Sequence, residues 1–371
     1  MKSKIIYLPG LNGLRAIAAL SVVFSHITLE LGNFKLNPFL FGVSPDGTAL
    51  GLDLATYGVS IFFTLSGFLI TYLLLKEKQI QEIDIKKFYL RRILRIWPLY
   101  YLFLFVAVLT TVAIGEDLNI TSLFLYIFYL ANVPFIFDTS IPLLAHYWSL
   151  GVEEQFYLFW PWLIKKIHAK LSLVIAVLII LLISVKVFLH FFLPGSVFEE
   201  IIHVSRFHCM LIGGLGAILF LQPHSLFLKL FDNKLTQILS LSVIVLLLIN
   251  HFHVASVIDN EIVCVVTVSI IIGQINIKNR IFNFDTGVFD FLGKISYGIY
   301  VIHPIIIFFM HKYLFVRLNL FGTAKYITIY VLALGLTILL SYLSYQFFEK
   351  YFLKLKERVT VIKSSGTKFF K

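Results

Sequence analysis

The sequence predicts an all-α, polytopic transmembrane helical bundle, and three observations carry the prediction. Hydrophobic residues make up 59% of the 371 positions and charged residues 14%, where a soluble domain has roughly 25% charged residues. Mean hydropathy is +0.91. The apolar residues fall in runs near the ~20 that a helix needs to cross a hydrocarbon core about 30 Å thick. Lys and Arg collect between the runs, so the formal net charge of +11 reads as membrane topology and argues for no nucleic acid.

In chain order, eleven apolar runs stand out, near 14–31, 56–75, 96–114, 120–137, 147–164, 171–193, 206–221, 235–252, 261–275, 289–311 and 325–349. The first is followed by many more spans and no clear small-residue cleavage site, so it is read as retained. Segment 76–95 carries seven Lys or Arg and is read as cytoplasmic, as are the loops with Lys165, Lys166 and Lys170, with Lys229 and Lys234, and with Lys278 and Arg280. Segment 115–146 has no Lys or Arg. The economical solution has ten spans with N- and C-termini cytoplasmic. Run 120–137 is then a buried or re-entrant segment on the outer side, allowed where protein covers the backbone. The outer loop 312–325 sits least well with the scheme, because it holds Lys312, Arg317 and Lys325. Residues 1–353 form one integral membrane domain and 354–371 a basic cytoplasmic tail. Cys209 and Cys264 lie in apolar runs as packing residues, and neither a disulfide framework nor a metal site is read from them.

Ionisable side chains inside a bilayer are costly and usually functional. Arg15 and His26 lie within about 20° of one helix face and roughly 16 Å apart along it. Arg15 is either a topology anchor or a ligand-facing cation, and His26 either a packed or a reactive imidazole. In "HYWSLGVEEQFYLFWPW", Ser149, Glu153 and Tyr157 share a face at i, i+4 and i+8, and Glu154 points about 100° away. Tyr147, Trp148 and Trp160 read as interfacial aromatics. In "RRILRIWP", Arg92 and Arg95 share a face and suit phosphates, Arg91 points elsewhere, and Pro98 suggests a kink or break. A positive-inside cluster is the simpler reading of these arginines taken alone. In "GKISYGIYVIHP", His303 lies roughly 20 Å along a helix starting near Phe289, with Gly293 and Gly298 permitting close helix approach. A structural role for His303 competes with a catalytic one. By depth, His26, Glu153 and His303 lie in the middle or outer bilayer and the arginines at the cytoplasmic face, an arrangement that suits a polyanion entering from the cytosol.

Arg15 with His26, "FFTLSGFLIT", "RRILRIWP", "WSLGVEEQFY" and "SYGIYVIHP" occur in an order that resembles the membrane-bound acyltransferase-3 family, from about Tyr7 to Tyr351. The resemblance implies acyl-CoA, often acetyl-CoA, as co-substrate, and cell-surface carbohydrates among the acceptors. It implies that His26 is catalytic, that Arg15, Arg92 and Arg95 hold the coenzyme, and that Glu153 with the Ser149 and Tyr157 face has a role. Asn12 departs from the aspartate common in similar sequences. Some members also carry an extracytoplasmic esterase-like domain after the bundle.

The expectation is therefore a multi-pass enzyme of the bacterial inner membrane that transfers an acyl group, taken as acetyl, from acyl-CoA to a carbohydrate hydroxyl. His26 acts as general base or as a transient acyl carrier, Glu153 orients it or stabilises its cationic form, and His303 supports the site. N-acylation of an amino sugar or a non-sugar acceptor by the same apparatus is the enzymatic alternative. A proton-coupled transporter is the alternative from another class, but the chain lacks the paired, broken spans that mark transporter sites.

Overall fold

The computed structural model describes residues 4–44, 47–167, 170–222, 226–314 and 321–365. Arg317 and the last six residues of the basic tail lie outside them. The described chain is helical apart from its loops, one isolated bridge and one strand pair, β1 (Lys4–Tyr7) with β2 (Ile362–Ser365), which run parallel.

The helices are α1 (Leu11–Glu30), α2 (Asp53–Lys78), α3 (Ile85–Ala113), α4 (Ile120–Ile127), α5 (Asn132–Ile136) and α6 (Trp148–Lys166). They continue as α7 (Leu171–Phe192), α8 (Val197–Ser205), α9 (Phe207–Phe220), α10 (Leu226–Phe231), α11 (Lys234–Leu248) and α12 (Asp259–Ile275). The last four are α13 (Gly287–Lys294), α14 (Ser296–Phe309), α15 (Gly322–Ser344) and α16 (Lys350–Arg358). Among the described residues, seven helical stretches are long and apolar enough to cross a membrane: Leu11–Phe34, Asp53–Lys78, Ile85–Ala113, Leu171–Phe192, Val197–Phe220, Ser296–Leu314 and Gly322–Arg358. The protein is an all-α, multi-pass membrane protein, and the shorter α6, α11 and α12 complete its bundle.

The path of 120–137 follows from how α2, α3 and α6 are tied. At the end of α2, the Lys78 ammonium donates to the carbonyls of Ile164 (2.6 Å) and Ile167 (3.1 Å), the unpaired acceptors at the end of α6. So α2 and α6 finish at the same, basic end. Helix α3 starts there, and the chain between α3 and α6 stays at the opposite end. From there α4 turns back beside α3, where the Tyr100 and Tyr101 hydroxyls donate to the carbonyls of Tyr126 (2.7 Å) and Ile127 (2.8 Å). Those phenols satisfy irregular backbone that lipid could not. The run is split into two short helices, each too short to cross a bilayer by itself.

Other expectations shift. Helix α3 runs unbroken through Pro98. The run 289–311 divides at Ile295 into α13 and α14, so His303 lies about 10 Å along its helix and not twice that. Tyr147 and Trp160 are fully buried and not interfacial, the first bonding the Tyr100 carbonyl (3.2 Å) and the second Thr71 (2.9 Å). Glycine sets the tightest crossing. A Cβ at Gly67 would strike the Met210 backbone, and one at Gly213 the Thr64 carbonyl, so α2 and α9 touch backbone to backbone. Gly293 packs in the same way on Asn12 of α1. The tail expected from 354 begins inside α16, and β2 returns it to the N-terminal strand.

Candidate active site

A cavity of about 470 Å³ lies between α1, α2, α3, α6, α14 and α16. Its walls carry Arg15, Arg92 and Arg95, the three cations that the sequence reading had gathered at the cytoplasmic face, and the full stripe of Ser149, Glu153 and Tyr157. Its outer rim is at the basic end, beside Glu77 and Lys356, and its inner lining reaches Ser149 and Tyr300.

Each charged group has a definite setting. Glu153 accepts hydrogen bonds from the Ser66 and Tyr157 hydroxyls. The Arg92 guanidinium lies over the rings of Tyr157 (5.4 Å) and Phe88 (5.9 Å). Its buried Nε has no partner among the described residues. A buried, unpaired guanidinium N–H is costly unless something fills its place, and the neighbouring arginines would favour an anion there. Arg91 turns aside, as its position on the helix requires, and pairs with the buried Glu77 at 3.0 Å.

Arg15 Nη1 donates to Asn12 Oδ1 (3.3 Å), while Asn12 Nδ2 donates to Asp290 (2.7 Å), itself paired with Lys294. The amide is donor and acceptor at once, which an aspartate cannot be. Asn12→Asp should therefore lower stability by about 1–3 kcal/mol, read from thermal unfolding in detergent, and adding Asp290→Asn should restore it. An unchanged midpoint in the single variant would refute this account of position 12.

Beyond the inner end of the cavity lies a cluster of imidazoles. His26 Nδ1 and His303 Nε2 are 2.7 Å apart, and His303 Nδ1 is 3.1 Å from the Ile299 carbonyl. His146 packs edge-on against His303, with ring centroids 5.3 Å apart. His303 and His146 are buried; His26 is half-buried. Between cluster and cavity stands Tyr300, whose hydroxyl shares a 2.5 Å hydrogen bond with Ser149 and donates to the His146 carbonyl at 2.8 Å.

So the structure gathers the arginines with Glu153, and His26 with His303, but it does not bring Glu153 to His26. The described partners of Glu153 are Ser66 and Tyr157, and that of His26 is His303. Sequence reading missed Ser66, His146, Tyr300 and Lys356. Ser66 and Tyr300 stand inside quoted motifs among other hydroxyl residues, Thr64 and Thr71 beside the first and Ser296 and Tyr297 beside the second, and His146 opens the stretch whose face was analysed. Nothing in the sequence marked Lys356 out from other tail lysines.

A family described as an acyltransferase domain matches residues 8–346. A Staphylococcus aureus (strain COL) protein provisionally named an O-acetyltransferase is 30% identical over 380 residues, covering 95% of this chain and 58% of its own length. The O-acetyltransferase OatA of S. aureus (strain NCTC 8325 / PS 47) is 28% identical, covering 92% of this chain and 57% of itself. Bacillus subtilis (strain 168) YrhL, provisionally named a peptidoglycan O-acetyltransferase, is 35% identical over 192 residues, covering 47% of this chain and 27% of itself. The chain thus spans little more than half of the longer curated relatives it matches end to end. No solved structure matches it.

Proposed function

The chain belongs to the membrane-bound acyltransferase-3 family, and from that premise we propose that it transfers an acetyl group from acetyl-CoA to a hydroxyl of a cell-surface or lipid-linked carbohydrate. The observation that carries this reading is the placement of the arginine-lined cavity directly against the Tyr300–Ser149 pair, with the His26–His303 pair one side chain further on. Phosphates of the coenzyme would lie among Arg15, Arg92 and Arg95, with its thioester reaching toward Ser149 and Tyr300. The positive-inside rule places the basic end, and so the coenzyme, in the cytosol. His26 sits about 16 Å further along α1, a distance that a pantetheine arm spans.

The histidine pair supports a base. If the Ile299 carbonyl takes the His303 Nδ1 proton, His303 Nε2 is left to accept from His26 Nδ1–H. His26 Nε2 then carries a lone pair, and its tautomer is held by a second imidazole, the task that a carboxylate performs in a hydrolase triad. An acceptor hydroxyl would give its proton to His26 Nε2 as its oxygen bonds the thioester carbonyl carbon. The carbon–sulfur bond breaks, and the coenzyme thiolate takes the proton back from His26. Glu153, held by Ser66 and Tyr157, would orient the arginines and not the base.

The test is direct transfer. Detergent-purified protein is given acetyl-CoA labelled in the acetyl group and a panel of cell-wall and other surface glycans. Label should appear in alkali-labile glycan esters with release of free coenzyme. Alkali-stable label on an amino sugar would replace O-transfer by N-transfer, and no acetyl-CoA consumption with any acceptor would refute the reading.

A further inference from the structure

We propose that the C-terminal segment 350–365 belongs to the donor site, closing one wall of the cavity and presenting Lys356 to the donor's phosphates as a fourth cation. This deepens the acyl-CoA reading and rests on it.

The segment lies past residue 346, where the family match ends, and the sequence alone reads the chain from 354 on as a basic cytoplasmic tail. In the structure Lys356, Thr360 and Ile362 line the cavity together with the three arginines. Lys356 is half-buried, while Lys354 and Arg358 of the same helix are exposed.

Two ties to other elements hold the segment in place, and one bond closes its own helix. Arg91, already paired with Glu77 of α2, also donates to the Val359 carbonyl at 3.5 Å. The Thr360 hydroxyl donates to the Lys356 carbonyl at 2.7 Å, closing the end of α16. Beyond it β2 pairs in parallel with β1, Ile362 opposite Lys4, and Ile362 is buried. Strand β1 leads directly into α1, the helix that bears Arg15 and His26. A free tail has no reason to be tied at two points beside a cavity. A wall does, and Arg91 gains a structural task that explains why it faces away from Arg92 and Arg95.

Charge supports the same assignment. A pyrophosphate carries two negative charges, and a phosphate monoester adds about 1.5–2, so the coenzyme brings nearly four. Arg91 is matched by Glu77, which leaves Arg15, Arg92 and Arg95 facing the cavity as three. Lys356 makes four. Glu357 is exposed at the rim.

Two measurements test this. The first is CoA binding by the solubilised full chain, by calorimetry. Lys356→Gln should weaken Kd by about tenfold or more, Lys356→Arg should stay close to the unaltered chain, and Lys354→Gln should change nothing. If Lys356→Gln and Lys354→Gln both bind as the unaltered chain does, the inference falls while the donor reading stands. If the unaltered chain does not bind CoA, the donor reading falls and takes the inference with it. The second uses the unaltered chain alone, so it does not depend on any variant folding. Lysines are labelled with an amine-reactive reagent with and without CoA, then read by mass spectrometry. CoA should protect Lys356 and leave Lys354 labelled; equal labelling of Lys356 in both samples would overturn the proposal.

Discussion

His26→Ala should abolish acyl transfer while leaving CoA binding and thermal stability near those of the unaltered chain. Removing a positioned general base costs about 10²–10⁴ in rate, and His26 lies beyond the cavity lining, so donor affinity has no reason to change. His303→Ala should also slow transfer, by a smaller factor, because it frees the His26 tautomer without deleting the base. Both rates are read as coenzyme release in the presence of acceptor. Transfer by His26→Ala at even a tenth of the normal rate would remove His26 from the chemistry.

The next largest effect is expected at the arginines. Arg92→Ala or Arg95→Ala should each weaken CoA binding by about tenfold to a hundredfold, the worth of a charge-assisted contact of about 1.5–3 kcal/mol. Lys86→Ala, at an exposed position in the first turn of α3, serves as the control. Arg91→Ala should behave differently. Glu77 is buried, and removing its partner strands a carboxylate, so stability should fall more than affinity. Equal affinity losses at Lys86, Arg92 and Arg95 would reduce the cluster to a topology signal.

The parts of the site that were legible are those that one helix supplies alone. Spacing put Arg15 and His26 on one stripe of α1, Arg92 with Arg95 on α3, and Ser149, Glu153 and Tyr157 on α6, and each set faces one region of the structure. Periodicity fixes a face and a depth, but not which helix packs against it. That choice rests on close approaches such as Gly67 to the Met210 backbone and Gly293 to Asn12, whose partners are distant in sequence. For this reason His26 found His303, on a helix entering at a different height, where sequence depth had offered both His303 and Glu153. The break at Ile295 was hidden because neither Pro nor Gly stands at it, and Asp290 and Lys294 read as the polar start of one long apolar run. The packing of 350–365 was not legible because a short polar helix and a four-residue strand carry no pattern that names their partners, Arg91 and β1.

The central claim is that donor and acceptor meet the protein from opposite sides, with the coenzyme in the arginine-lined cavity and the acceptor at His26. It is tested most directly in sealed vesicles holding the purified protein in known orientation, with acetyl-CoA on the side of the basic end and a membrane-impermeant glycan on the other. The account predicts acetyl esters on the glycan only in that arrangement, with the coenzyme retained on its own side. Transfer only when both substrates share the basic side would contradict it and return the chemistry to a single face of the membrane.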